Sequence, residues 1–216
     1  MKDDVLELLA KVQPVAEAAL LHEALGKRGA LNHDVRPAFP GAKVLGRALT
    51  VRSLPGDNLM LHLAISVARP GDVLVVATDG YLEAGIWGEI ATVAAQARGI
   101  RGLVTDGAVR DIEQIARMGF PIFSRGLSIK GTTKRQKGDL NRPISLAGAV
   151  VNPGDIVVGD ADGVVVVPAA EIDSAVTRAE EIRRREEGVM ARLKQGELTL
   201  DLLGFRAALK ELGLER

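Results

Sequence analysis

The chain has 216 residues, 28 acidic and 28 basic side chains, and no cysteine. Because positive charge is not in excess and only 3% of residues are aromatic, the composition argues against a nucleic-acid partner. The lack of cysteine excludes disulfides, thiolate metal sites and thiol nucleophiles, and it fits a cytoplasmic protein. No apolar run reaches the roughly 18 residues that span a membrane, and the charged N-terminus is unlike a signal peptide, so we expect no membrane association.

Hydrophobic periodicity predicts alternating helices and strands in the first half of the chain. Residues 3–25 have helical spacing, with a break expected at Pro14, and a loop covers 26–43. We then predict a strand at 44–53, a buried helix at 59–68, a turn and strand at 69–80, a helix at 84–99, a strand at 100–107, a helix at 110–119 ended by Gly119, and a strand at 120–126.

The second half begins with a polar loop at 129–143 and a predicted hairpin at 154–168, whose turn is formed by residues 160–163. A long charged helix follows at 169–195, and a second helical segment is expected after Gly196. We see no interdomain linker. The sequence therefore predicts one α/β domain over 1–216, with a C-terminal helical extension from about 169.

The strands at 69–80 and 100–107 are joined by a helix, so we expect them to be parallel and to end at the same edge of a sheet, where ligands bind. Glu89 lies early in that helix and Arg110-Asp111 opens the next one. Arg110 can hold a carboxylate by paired hydrogen bonds. The two acidic side chains, Glu89 and Asp111, favour a hard divalent cation such as Mg²⁺.

Other interpretations of these residues stay open. An Arg-Asp pair at a helix start is often a simple cap with a solvated partner. The three histidines are isolated and are predicted to be structural, and no GxGxxG follows a strand. Lys130 and Lys134 lie in a polar loop without the burial that lowers a lysine pKa, which disfavours a Schiff-base mechanism.

The segment DGYLEAGIWGEIATVAAQARGIRGLVTDGAVRD (79–111) resembles the signature of the RraA-like family, which contains class II 4-hydroxy-4-methyl-2-oxoglutarate (HMG) aldolases and ribonuclease E regulators. The aldolases carry an acidic residue, twenty intervening residues and then Arg-Asp. Glu89, residues 90–109 and Arg110-Asp111 match this spacing. VRSLPGDNLMLHLAI and SIKGTTKRQ are similar to further family segments, and the C-terminal stretch is typical of the aldolase branch.

The resemblance implies a role for each matching residue. Asp111 would bind Mg²⁺ or Mn²⁺, Arg110 would bind the pyruvyl group and stabilise enolate charge, and Glu89, where many aldolases have Asp, would orient a metal-bound water. Backbone N–H groups would bind the substrate carboxylate, and further side chains match pocket positions. These substrate-binding residues are Gly88, Glu89, Ile90, Ala91, Asn58 and Lys134, and Glu186 or Glu187 would complete the site of a neighbouring subunit.

The resemblance also implies a swivelling β/β/α fold, a homotrimer or homohexamer, and a small keto-diacid as substrate. The implied function is a divalent-metal-dependent lyase that forms a pyruvate enolate, by retro-aldol cleavage of HMG to pyruvate or by oxaloacetate decarboxylation. The alternative is a non-catalytic RraA-type regulator that binds a ribonuclease. Glu89, Arg110 and Asp111 together favour the enzyme.

Overall fold

The computed structural model describes residues 3–214. The helices are α1 Asp3–Val12, α2 Ala18–Ala24, α3 Leu59–Val67, α4 Glu89–Ala97, α5 Ile112–Met118, α6 Ile172–Leu193, α7 Thr199–Leu202 and α8 Arg206–Glu211. The strands are β1 Arg36–Pro37, β2 Val44–Arg52, β3 Asp72–Ala77, β4 Gly102–Thr105, β5 Ala108–Val109, β6 Ile122–Ser124, β7 Gly126–Leu127, β8 Asp139–Leu140, β9 Ile144–Leu146, β10 Ala149–Val151, β11 Ile156–Asp160 and β12 Gly163–Val167.

The central sheet has eight strands, in the order β1-β6-β4-β3-β2-β11-β12, with β8 also paired to β2. The strands β2, β3, β4 and β6 are mutually parallel, and the other pairs are antiparallel. The parallel pairing of β3 with β4 confirms the prediction that the strands at 69–80 and 100–107 are parallel. Both strands therefore end at the same edge, which we call the carboxyl edge.

The two ends of this sheet approach each other. Ala30 forms an isolated bridge to Val165 of β12, and Arg36 Nη1 in β1 donates to the carbonyl oxygen of Asp162 at 3.1 Å. Alternate side chains of the strands, such as Val73 and Val75, fill the interior of this nearly closed sheet. The nearly closed sheet thus encloses its own core.

Helices cover the outside of the sheet on two sides. The apolar faces of α3, α4 and α5 pack on the opposite face of β3 and β4, around Leu74, Val76 and Leu103. Helices α1, α2 and α6 pack on β11 and β12. The architecture confirms the predicted α/β class. Among residues 3–214, no helix has the length and apolar character needed to cross a membrane.

The predicted helix at 84–99 is wrong in its first turn, because α4 begins only at Glu89. Residues 84–88 are extended and pair with 108–110, which places Ile86 in the core rather than on a helical stripe. Ile90 and Val93 share helical spacing with Ile86 in the sequence, but they are 83% and 54% exposed. The long-range pairing overrides the local helical pattern.

Several other boundaries differ from the prediction. The helix expected from 110 begins at Ile112, and the two long loops contain the short strands β1 and β8. The β9–β10 hairpin was not predicted. The expected break at Pro14 is confirmed by a 3₁₀ turn between α1 and α2, and the 154–168 hairpin is confirmed by the pairing of β11 with β12.

The C-terminal part of α6 leaves the body of the molecule. Residues near its start, such as Ala175 and Ala179, are buried against the sheet and α2. From residue 184 to 214, by contrast, no described residue is buried. We call residues 184–214 the C-terminal arm. Six of its large apolar side chains are about half exposed or more, namely Met190, Leu198, Leu203, Phe205, Leu212 and Leu214.

Candidate functional site

Two chain segments run side by side where β3 and β4 have ended at the carboxyl edge. The N–H of Ile86 donates to the carbonyl of Ala108, and the N–H of Arg110 donates to the carbonyl of Trp87, both at 2.9 Å. Trp87 is buried and stacks on Phe120, with 6.0 Å between ring centroids. This ladder fixes the start of α4 directly beside Arg110-Asp111.

Asp111 has an unusual backbone conformation and an unusual partner. Its φ angle is +60°, in the left-handed region, and its side chain does not cap α5, which begins one residue later. Instead, Asp111 Oδ2 accepts a hydrogen bond from the N–H of Glu89 at 3.0 Å. The carboxylate therefore caps α4, a helix 22 residues away in sequence.

Gly88 makes this approach possible because it has no side chain. A Cβ atom at Gly88 would overlap Asp111 Oδ2 and would lie 3.1 Å from Arg110 Nε. Arg110 Nε is itself 3.7 Å from Asp111 Oδ2, and the Arg110 side chain is 44% exposed. The cation, the carboxylate and the helix start are thus in direct contact.

A cleft of about 300 Å³ opens beside this pair. It is lined by Val109, Arg110, Asp111, Ile112, Leu127, Ser128 and Ile129. A larger cleft of about 410 Å³ lies around Arg47 and Asp72, at the opposite edge of the sheet. Those two side chains form an ion pair at 2.7 Å in which Arg47 is 24% exposed, whereas Arg110 is 44% exposed and lies 3.7 Å from Asp111. The smaller cleft is therefore the better candidate for binding an anionic ligand.

The other residues predicted for the site lie at varying distances from this centre. Asn58 Nδ2 donates to the carbonyl of Ile86 at 3.0 Å, while its buried Oδ1 has no donor within the described chain. Lys134 is exposed, and its Nζ lies 3.3 Å from the carbonyl oxygen of Thr132. Glu186 and Glu187 are exposed on the C-terminal arm and form no hydrogen bond or ion pair within residues 3–214.

Two buried carboxylates that organise this edge were missed in the sequence. Asp57 follows β2, and Asp106 follows β4. Asp106 accepts hydrogen bonds from the N–H and hydroxyl of Thr78 and from the N–H of Gly80, at 2.7, 3.0 and 3.0 Å. An acidic residue close after an apolar strand was the available signal.

Lys130 is ill-suited to covalent catalysis. Its ammonium forms an exposed ion pair with Glu83, and hydrogen bonding to that carboxylate raises the pKa of Lys130 above its ordinary value. A Schiff base requires the neutral amine, so this pairing agrees with the argument against such a mechanism.

The residues present fit a divalent cation that keeps most of its water. Within residues 3–214, no group of three or more His, Cys, Asp or Glu side chains could hold a metal. Asp111 offers one carboxylate oxygen, Oδ1, that accepts no hydrogen bond from the described residues. A single hard oxygen ligand with open surroundings suits Mg²⁺ or Mn²⁺ rather than zinc.

Fold and site together define an α/β protein with a charged cleft at the carboxyl edge of its sheet. The family model described as Aldolase/RraA matches residues 14–166. The chain therefore belongs to the RraA-like family, as its 79–111 segment indicated. The matched range ends before α6 begins.

This chain is similar both to a protein named as an aldolase and to an RNA-processing inhibitor. A protein of Halalkalibacterium halodurans, provisionally named a 4-hydroxy-4-methyl-2-oxoglutarate aldolase, is 34% identical over 89% of both chains. A solved structure from Pseudomonas syringae has a TM-score of 0.82 and 29% identity, and covers 92% of this chain and 93% of its own. The RNA-processing inhibitor RraA from Thermus thermophilus has a TM-score of 0.65 and 26% identity, over 70% of this chain and 92% of its own.

Proposed function

We propose that this protein is a divalent-metal-dependent lyase that acts on pyruvyl diacids. It cleaves HMG to pyruvate by a retro-aldol reaction and decarboxylates oxaloacetate, in both cases through a pyruvate enolate. The observation that carries this proposal is the 3.0 Å hydrogen bond from the Glu89 N–H to Asp111 Oδ2. It joins the Arg110-Asp111 pair to the start of α4.

The α-keto carboxylate of the substrate binds between Arg110 and the first turn of α4. The half-exposed guanidinium can form paired hydrogen bonds with a carboxylate. The N–H groups of Ile90 and Ala91 lie in the first turn, where helical N–H groups have no partner in their own helix. The positive end of the helix dipole also favours an anion there.

A Mg²⁺ or Mn²⁺ ion held by Asp111 supplies a Lewis acid for the keto acid when it is bound. The hydrogen bond from Glu89 fixes Asp111 Oδ2 and leaves Oδ1 available as the ligand. Arg110 places a permanent positive charge where the enolate oxygen becomes negative. One well-placed donor of this kind stabilises a transition state by about 3 kcal/mol.

Glu89 transfers the proton of the aldol hydroxyl group, through one water molecule. Its side chain is exposed and accepts no hydrogen bond from the described residues, so the carboxylate is free for this task. Oxaloacetate has no hydroxyl group to deprotonate, and its enolate forms by loss of CO₂. Glu89 is therefore needed for aldol cleavage and not for decarboxylation.

The second carboxylate of a diacid requires another cation near the cleft. Lys134 is exposed on the loop that passes the site, and its ammonium group has only the backbone and hydroxyl of Thr132 as partners in the described chain. Lys130 is already paired with Glu83. We therefore assign the second carboxylate to Lys134. Asn58, whose Oδ1 is buried, supports the site through its hydrogen bond to the carbonyl of Ile86.

The protein acts as a homotrimer or homohexamer, with the site near a subunit boundary. Exposed apolar side chains flank the site on both sides, namely Ile90 and Val93 of α4 and Leu127 and Ile129 beside the cleft. The C-terminal arm also has no buried residue within one chain. A second copy would cover these surfaces, and Glu186 or Glu187 on its arm would contribute an acidic group to the neighbouring site.

The alternative function is that of a non-catalytic regulator. The similarity to the RNA-processing inhibitor RraA favours it. A regulator that binds through its surface, however, does not require a carboxylate capping a distant helix next to a half-exposed arginine. The assembled group of Glu89, Arg110 and Asp111 therefore supports the lyase.

The experiment that tests this proposal is direct. The purified protein with Mg²⁺ or Mn²⁺ is given oxaloacetate or HMG, and pyruvate is measured. We expect pyruvate from both substrates, and little from either with Arg110→Ala. No pyruvate above the metal-only background, with either ion, would contradict the lyase and favour the regulator.

A further inference from the structure

Asp57 is a buried carboxylate that binds four donors from two parts of the chain. Its side chain is fully buried, and no cation lies within ion-pair distance among residues 3–214. Oδ1 accepts from the N–H of Leu59 at 2.8 Å. Oδ2 accepts from the hydroxyl of Thr133 at 2.7 Å, and from the N–H groups of Arg135 and Gln136 at 2.7 and 3.2 Å.

These hydrogen bonds keep Asp57 ionised without a counter-ion. Burial alone would raise the pKa of this carboxyl group. The hydrogen bonds from Thr133, Arg135, Leu59 and Gln136 outweigh that effect, and the pKa lies below its ordinary value. The group is therefore an anion at neutral pH, and three of its four donors belong to one loop.

That loop, residues 128–136, runs past the site. One end is bound to the site ladder, since Ser128 N–H donates to the carbonyl of Val109 and Gly85 N–H donates to the carbonyl of Lys130, both at 2.9 Å. In between, a Cβ atom at Gly131 would lie 4.0 Å from Arg110 Nη1. The loop thus passes next to the guanidinium.

The other end of the loop is bound to residues 56–58. Thr133 N–H donates to the carbonyl of Gly56 at 2.8 Å, and Asn58 N–H donates to the carbonyl of Thr133 at 3.1 Å. Asp57 lies in the middle of this short ladder. A plain cap of α3 would need only the bond to Leu59, so the three bonds to the loop call for another explanation.

We propose that Asp57 is a positioning residue, which holds the 128–136 loop so that Lys134 meets the second carboxylate of a diacid substrate. It touches no substrate itself and acts through the loop. The kinetic part of this inference rests on the proposed function. The structural part, that Asp57 holds the loop, does not.

Asp57→Asn is the first test, and Asp155→Asn is its matched control. In Asp57→Asn an amide NH₂ group faces donors whose hydrogen bonds the carboxylate accepted. The loop therefore loses some of the hydrogen bonds that hold it. Asp155 is also buried, and it accepts from the N–H and side chain of Asn152 and from the N–H of Ala169. It precedes β11, away from the carboxyl edge. Asp155→Asn therefore shows how much stability and activity are lost when any buried, hydrogen-bonded Asp is replaced by Asn.

Steady-state kinetics on oxaloacetate should separate the two variants. We expect Asp57→Asn to raise KM by about tenfold, the effect of losing one charge-assisted hydrogen bond to substrate, with kcat nearly unchanged. Asp155→Asn should leave KM unchanged. Equal changes of KM in the two variants, or a loss confined to kcat, would contradict the positioning role.

Trypsin provides a readout that needs no activity. The loop and its continuation carry four exposed tryptic sites, Lys130, Lys134, Arg135 and Lys137. We expect cleavage there to be about tenfold faster in Asp57→Asn than in the parent or in Asp155→Asn, because one buried hydrogen-bonded anchor is lost. Equal cleavage rates would show that Asp57 does not hold the loop, even if neither substrate is turned over.

Changes at Thr133 test the same contact if Asp57→Asn fails to fold. Thr133→Val removes the hydroxyl group that binds Asp57, while Thr133→Ser keeps it. We expect Thr133→Val to raise KM and to expose the loop to trypsin, and Thr133→Ser to behave like the parent. If Val and Ser act alike in both measurements, the inference is wrong.

Discussion

Asp111 shows how one side chain joins two elements. A non-glycine residue at φ +60° is uncommon, although Asp tolerates this region better than most residues. The conformation directs its carboxylate to the N–H of Glu89 and not to the start of its own helix. The interpretation of Arg110-Asp111 as a simple cap of the following helix is therefore wrong.

Glu89→Gln tests whether Glu89 is needed for aldol cleavage and not for decarboxylation. The change keeps the size of the side chain and removes its charge, so it should lower kcat/KM for HMG by about 10²-fold, with a much smaller loss for oxaloacetate. Arg110→Lys should lower both, because lysine loses the planar pair of donors. Each variant's two kcat/KM values are measured with the pyruvate assay.

Glu113→Gln is the matched control, because Glu113 is an exposed acid in the first turn of α5 as Glu89 is in the first turn of α4. It should retain parental rates on both substrates. Equal losses on HMG and oxaloacetate in Glu89→Gln would mean that Glu89 serves metal binding or structure instead of proton transfer.

The start of α4 shows what local pattern could and could not predict. The alternation of strands and helices, the parallel pair β3 and β4, and the placement of Glu89 near Arg110 all follow from apolar periodicity and topology. The extended segment 84–88 does not, because Ala84 and Ile86 also suit a helix and only pairing with residues 108–110 decides the outcome. The hydrogen bonds between Asp57 and the 128–136 loop could not be predicted for the same reason, although the position of Asp57 close after β2 was a visible signal.

Gly88→Ala tests whether the close approach of α4 to Asp111 matters. Its methyl group would overlap the Asp111 carboxylate and displace the start of the helix. A displacement of about 1 Å at a site of this kind costs roughly 10²-fold in rate, and we expect a loss of that order in kcat/KM.

Gly188→Ala is the control for the same substitution. Gly188 lies within α6, and a Cβ atom there would meet nothing within 4 Å. The change leaves the contact between α4 and Asp111 intact within one chain and should stabilise the helix by up to about 1 kcal/mol. Parental kinetics in Gly88→Ala, measured at equal metal concentration, would show that the contact is dispensable.

The whole molecule is a nearly closed sheet whose outside is covered by helices on two sides. Exposed apolar side chains lie near its carboxyl edge. Composition and periodicity predicted a single α/β domain and the C-terminal helices. They did not predict the approach of β1 to β12, since β1 has only two residues and depends on partners distant in sequence. Nor did they predict the exposure of Ile90 and Val93, which share helical spacing with the buried Ile86.

These uncovered surfaces lead to a prediction about assembly. Light scattering at micromolar concentration should give the mass of a trimer or a hexamer. Removal of residues 197–216, which keeps α6 intact, should weaken that assembly without unfolding the domain, because α7 and α8 have no buried residue. A fully active monomer would contradict the placement of the site near a subunit boundary.

The central claim is that Asp111 binds a divalent ion on which pyruvate release depends. The measurement is the rate of pyruvate formation from HMG and oxaloacetate in excess EDTA, and after Mg²⁺ or Mn²⁺ is restored. We predict that EDTA abolishes most of the rate, that either ion recovers it, and that Asp111→Asn, folded by circular dichroism, stays slow at every metal concentration. Undiminished pyruvate release by the parent in excess EDTA would contradict the account.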